Sequence, residues 1–165
     1  MDTKLLILIA VITIILVGAL ILLVLPATTI TTYASYGLDY EGYSLAISTG
    51  VGADGQPMLE TSGPSFDSGE DVYLVIYGIS GLQTENDVAK ITMEMDLDGG
   101  AKTLSTDGSI DYPAAGGYID NVYSYVEGSE LQPGKHSISL TVADTFGGGY
   151  ITVNAEFTVV GPLKS

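Results

Sequence analysis

The side chains best suited to chemistry in this chain are acids. Asp67, Glu70 and Asp71 crowd together just ahead of a strand-like run, and Glu85 and Asp87 occupy a second short loop. Calcium takes about six to eight oxygen ligands, and loops that meet at one end of a fold can supply them together. These five residues are therefore the candidate calcium ligands, and calcium is the one cofactor the residue set suggests. The segment Asp96-Leu97-Asp98-Gly99-Gly100 begins like an Asp-x-Asp calcium loop. It departs from the EF-hand pattern, because Gly100 has no side-chain oxygen and Asp107 stands where that loop needs a glutamate.

His136 is the single histidine. It follows a turn and opens a strand-like run, so its expected place is the surface or a strand edge. No Gly-x-Ser-x-Gly elbow accompanies it, so nothing supports a serine nucleophile. Among 20 acids, carboxylate pairs arise by chance, and their presence alone does not mark a glycosidase. The chain has no cysteine, which excludes disulfides, thiolate metal sites and cysteine nucleophiles. The expectation is a non-enzyme with no catalytic residues. Tyrosine is the other conspicuous type. Tyr33, Tyr36, Tyr40 and Tyr43 cluster early, and Tyr112, Tyr118, Tyr123 and Tyr125 cluster later. Tyrosine offers rigid amphipathic contact area at interfaces and near lipid headgroups, and it also packs commonly at the rims of sheets.

The elements that must position these residues begin with a hydrophobic run from Leu5 to Leu25, uncharged and ended by Pro26. At about 1.5 Å per residue such a helix spans roughly 31 Å, the thickness of a bilayer core. A helix satisfies its own backbone polar groups and so can sit in lipid. The run exceeds the apolar core of a signal peptide, and the best cleavage match, Thr32-Tyr33-Ala34, is poor. Lys4 precedes it, and no lysine or arginine follows until Lys90. The positive-inside rule then leaves the N-terminus in the cytoplasm and exports the rest. The expected organisation is a cytoplasmic tail over 1–4, a single transmembrane helix over 5–25, an extracellular stalk over 26–42 and one domain over 43–165.

The net charge of −15 comes from 20 acids against five lysines. A chain this acidic repels phosphate backbones, so nucleic acid is not an expected partner. The expected partners are the bilayer, through the Leu5 to Leu25 run, and a protein at the cell surface.

Beyond residue 42 the pattern has period two. Residues 43–48 (YSLAIS) alternate and lead into a Gly-rich turn over 49–56. Residues 72–77 (VYLVIY) form a dense β-branched and aromatic run. In 90–97, Ile91, Met93, Met95 and Leu97 share a face. Gly99-Gly100 then turns the chain into a partner strand starting near 101. Further strands are expected over 118–126, 136–143 and 150–159, the last two joined by the loop 144–149. About seven short strands, with no helical segment after the anchor, predict an all-β antiparallel sandwich with one buried and one wet face per sheet.

Two stretches carry a resemblance. Leu131-Gln132-Pro133-Gly134, the strand ending Val142-Ala143-Asp144, the glycine loop and Phe157-Thr158-Val159 resemble the closing hairpin of immunoglobulin-like and PKD-like domains of prokaryotic surface proteins. Phe66-Asp67-Ser68-Gly69-Glu70-Asp71-Val72-Tyr73-Leu74 resembles their Phe-x-x-Gly-Glu-x-Val-x-Leu opening strand. The resemblance implies an immunoglobulin-like sandwich, with Phe66 and Phe157 as core plugs and Pro133-Gly134 as a turn. It implies an extracellular interaction, spacer or structural module and carries no catalytic residue. Three functions follow as expectations. The first is a membrane-anchored structural, adhesion or accessory module of the cell envelope. The second is a pilin-like or strand-exchanging filament subunit, with residues 30–43 as the donor strand. The third is a calcium-dependent binding module.

Overall fold

The computed structural model describes residues 32–161. The expected cytoplasmic tail and the Leu5 to Leu25 helix lie outside them. Among the described residues no helix is long and apolar enough to cross a membrane.

The described chain is all-β, in two sheets. The first sheet runs β1 (Thr32–Tyr36), β12 (Tyr150–Val160), β11 (Gly134–Asp144), β7 (Val88–Leu97) and the short β6 (Thr84–Glu85). Three further short strands extend it: β4 (Ser65–Asp67) runs parallel to the end of β12, while β8 (Lys102–Ser105) and β9 (Ile110–Pro113) flank successive halves of β7. The second sheet has the order β10 (Tyr118–Val126), β5 (Val72–Ser80), β2 (Gly42–Val51), β3 (Pro57–Thr61), and every pairing in it is antiparallel.

The core lies between the sheets. Its first-sheet side comes from Ile91, Met95, Ile138, Leu140, Ile151, Val153 and Phe157, and its second-sheet side from Leu45, Leu74, Ile76, Val122 and Val126. These are the alternate positions of each strand, as a pleated backbone requires. Met93, expected on the buried face of β7, is only half-buried. Phe66 and Phe157 meet edge to face at 5.6 Å deep in the core, as the resemblance implied. Gly134 takes the positive φ (145°) expected of its turn. The β7–β8 hairpin turns through Asp98, Gly99 and Gly100, all at positive φ.

Three expectations need correction. Among the described residues twelve strands form rather than about seven. The additional ones are two to five residues long and owe their geometry to backbone pairing with longer neighbours, so they carry no period of their own. The expected stalk over 26–42 also joins the domain before its end. Thr32–Tyr36 pairs with Tyr150 to Asn154 along β12, and Leu38 is buried in the core. The threonines and tyrosines of that segment suit a strand as well as a spacer. Finally, the second sheet has no wholly wet face. Five consecutive residues of β5, Val72 to Ile76, are buried, so both faces of that strand are covered.

Candidate functional site

The five calcium candidates are divided between the two ends of the sandwich. Asp67, Glu70 and Asp71 occupy the β4–β5 turn, at the end where β5 begins and β12 finishes. Glu85 and Asp87 occupy the β6–β7 turn at the opposite end, where β7 begins and β11 finishes. Their geometry is that of turns. The Asp67 N–H donates to Glu70 Oε2 at 2.7 Å, and the Gly128 N–H donates to Asp71 Oδ1 at 2.8 Å. Asn86 and Asp87 both sit at positive φ, as a tight hairpin demands. Among the described residues, no three His, Cys, Asp or Glu side chains gather to hold a metal ion.

His136 lies near the start of β11, at the first of those ends. One ring nitrogen, Nδ1, lies 2.8 Å from Asp98 Oδ2, and the other, Nε2, lies 2.7 Å from the Gln132 carbonyl. The ring stacks on Phe157 at 5.4 Å. Burial opposes its charge, but the Gln132 carbonyl and the Asp98 carboxylate outweigh that and raise its pKa above 6.5. Only the imidazolium donates from both nitrogens, and both face acceptors. Asp98 also accepts the Ser137 N–H at 2.8 Å, so His136 and Asp98 together fasten the β7–β8 turn to the start of β11.

The most developed surface lies elsewhere, on the outer face of the second sheet. Along β5 the outward residues are Tyr73, Val75 and Tyr77, and opposite them on β10 stand Tyr125, Tyr123 and Asn121. On the other side, β2 turns outward only Gly42, Ser44, Ala46 and Ser48. Small side chains on one strand beside large rings on the next make a trough. Its far wall is Leu59 of β3.

The β2–β3 hairpin closes this trough. The register shifts between Ser48 and Val51, and a loop over 52–56 is held by the Gly52 N–H to the Gln56 carbonyl at 2.8 Å. Asp54 Oδ1 accepts the Gln56 N–H at 3.1 Å. A bulge of this kind bends and twists the strand pair. Here the bent hairpin lays Gln56 over β5, so that Gln56 Oε1 accepts the Tyr123 hydroxyl at 2.7 Å. The result is a cleft of about 460 Å³, floored by Val75 and Tyr77 and walled by Pro57, Leu59, Tyr112 and Tyr123, with Asp54, Gln56 and Asn121 at its polar positions.

Each of its three tyrosines is pinned. Tyr77 and Ser44 share a 2.7 Å hydroxyl contact, Tyr123 donates to Gln56, and Tyr112 donates to the Asn121 carbonyl at 3.3 Å. Burial raises the pKa of both Tyr112 and Tyr123, and for Tyr123 the neighbouring Tyr112, Tyr73 and Asp54 add to it. These rings stay neutral at any ordinary pH. Next to the cleft, Tyr73 stacks on Tyr125 at 5.0 Å and leans on Tyr123 at 5.9 Å, which buries Tyr73, Val75 and Ala46 outside the main core. A shallower hollow of about 530 Å³ lies over residues 33–43 and is lined by one continuous segment of chain, including Tyr33, Asp39 and Tyr40.

Tyr112, Tyr123 and Tyr125 drew notice in the sequence as interface or rim residues. No sequence pattern singles out Tyr77, Gln56, Asp54 and Asn121 by themselves. A signal existed: VYLVIY lacks the polar alternation of a half-wet strand, and its neighbour GYSLAIS carries small residues at every second position.

No protein-family profile matches the chain, and no curated protein matches it. Among solved structures, a lytic polysaccharide monooxygenase of Jonesia denitrificans is 13% identical over 76% of this chain and 78% of that one, with a TM-score of 0.38. A likeness that slight carries no argument about fold or activity.

Proposed function

We propose that this chain is a membrane-tethered, non-catalytic recognition module of the cell envelope, with an immunoglobulin-like sandwich exported and displayed on the Leu5 to Leu25 helix. The strand order supports the immunoglobulin-like reading. β10-β5-β2 faces β12-β11-β7, and the chain crosses repeatedly between the sheets, as in that sandwich. The observation that carries the recognition role is the cleft on the outer face of the second sheet. A free-standing sheet face is ordinarily wet and polar. This one is tyrosine-rich, concave and braced by hydrogen bonds. The non-catalytic reading draws on His136, whose two ring nitrogens serve a structural fastening. The tether draws on the apolar run and the lysine asymmetry.

The test is cell fractionation with surface proteolysis of the full chain. The account expects the protein to stay in membranes through alkaline carbonate extraction. It also expects external protease to release an intact all-β fragment from whole cells. A chain recovered in the soluble cytoplasm, or protected from external protease, contradicts it.

A second reading has one observation behind it. β1 is a five-residue edge strand that pairs only with β12 among the described residues, and its residues 33–36 are exposed. Gly37, at φ 70°, connects it to the buried Leu38. Such a strand suits exchange between copies, as a filament subunit requires. Cross-linking of cysteines placed at Ala34 and Thr152 separates the cases. Bridges within one chain support the closed module, and bridges between chains support exchange.

A further inference from the structure

We propose that the cleft over β5 binds a neutral glycan chain, with tyrosine rings against the apolar faces of the sugars and Gln56, Asp54 and Asn121 on their hydroxyls. This rests on the reading of that sheet face as the recognition surface.

The lining selects the ligand. No lysine or arginine lines the cleft, Asp54 does, and the whole chain carries −15. Phosphates, sulfates and uronates are repelled from such a place. A purely apolar occupant fits no better, because it would strip water from Gln56, Asn121 and Asp54 and return no hydrogen bond. What matches is a molecule with flat C–H faces and many hydroxyls, neutral overall, which is the chemistry of a pyranose. Tyrosine presents a large amphipathic ring to the C–H face. Carboxamide and carboxylate groups supply donors and acceptors side by side for vicinal hydroxyls. Gln56 illustrates the division of labour: Oε1 holds the Tyr123 hydroxyl, and its NH₂ group is left to donate.

The site is also built in advance. The hydroxyls of Tyr77, Tyr112 and Tyr123 are each tied to protein, so the rings keep their positions without a ligand. Preorganised rings avoid the entropy loss that a mobile aromatic surface would incur on binding. The cavity of about 460 Å³ lies within the roughly 300–1,000 Å³ common for small-ligand sites. It does not end blindly, because Tyr125, 41% exposed, continues the aromatic row along β10. Outward residues two apart on a strand are about 7 Å from one another. A row at that spacing suits an extended polymer better than an isolated monosaccharide.

The experiment is native affinity electrophoresis of the full chain in mild detergent. The gels contain hydroxyethylcellulose, mixed-linkage β-glucan, galactomannan or dextran as neutral probes, polygalacturonate as the anionic probe and chitosan as the cationic one. The proposal expects retardation in at least one neutral gel, insensitive to salt. Tyr123→Ala should weaken it about tenfold and Gln56→Ala about threefold. Tyr36→Ala, at the edge of the other sheet, should leave it unchanged. Circular dichroism checks that each variant keeps its β spectrum. If Tyr123→Ala does not fold, Gln56→Ala and Asn121→Ala, both at exposed positions, decide. Mobility unaffected in every neutral gel overturns the proposal. So does retardation that all the cleft variants retain, or retardation by chitosan alone that salt abolishes. Membrane attachment is read separately by fractionation, so a lost tether and a lost glycan site give different results.

Discussion

The single histidine shows how a residue suited to catalysis can be absorbed by architecture. Its folded-state pKa is raised, so its imidazolium contributes stability that is fully present below its ordinary pKa of 6.5 and is lost as pH rises through the folded value. The melting temperature of wild type should therefore exceed that of His136→Gln by more at about pH 5.5 than at about pH 8.5. A difference that does not vary with pH would show that the Asp98 contact carries no charge. Asp144 is a second case. It is buried at 2% exposure, its Oδ2 accepts the Gln83 N–H at 2.8 Å and its Oδ1 accepts the Phe146 N–H at 2.9 Å. Asp144→Ala strands those donors and should cost about 1–3 kcal/mol in chemical denaturation. The alternating pattern ends its strand at Ala143 and leaves Asp144 to the loop, whereas the resemblance ends the strand on Asp144, as β11 does. Its partner Gln83 lies 61 residues away, and no local pattern encodes a bond across that separation.

At the scale of the element, β5 carries the most information. Its alternation was not polar against apolar, and an unbroken apolar run means cover on both faces. One cover is the core, and the other is the trough. Leu74 and Tyr73 test the two. Leu74→Ala should lose about 2–5 kcal/mol, as in any packed interior. Tyr73→Ala, buried only by the outer rings and the β2 strand, should lose stability too, and an effect near zero would mean that the outer cluster does not pack. The long strands β7, β11 and β12 were legible because each alternates for ten or eleven residues. β3, β4, β6 and β9 were not, because a strand of two to five residues holds too few side chains to show a period. β9 even ends in proline, which is compatible only with an edge position. The loop after β10 adds a glycine whose reason is packing. A Cβ on Gly128 would lie 2.2 Å from the Gly69 carbonyl carbon, backbone against backbone. Gly128→Ala should therefore separate the 127–131 loop from the β4–β5 turn and cost about 3 kcal/mol.

At the scale of the whole described domain, two sheets enclose one core and their outer faces differ. The first sheet holds both the first and the last strand of the described residues, β1 pairing along β12. The second sheet holds the tyrosine trough. The period-two pattern pointed to the all-β class. The trough required a hairpin to fold back over its own sheet, and that is a tertiary event which the Gly-rich segment 49–56 permits but does not announce. The chain has no tryptophan, so its ultraviolet emission comes from its tyrosines. The most direct measurement is a fluorescence titration of the full chain in detergent with soluble neutral gluco- and manno-oligosaccharides. A saturable change that disappears in Tyr123→Ala and survives in Tyr36→Ala is the predicted result. A flat titration, or one that Tyr123→Ala leaves intact, would contradict the assignment of this face.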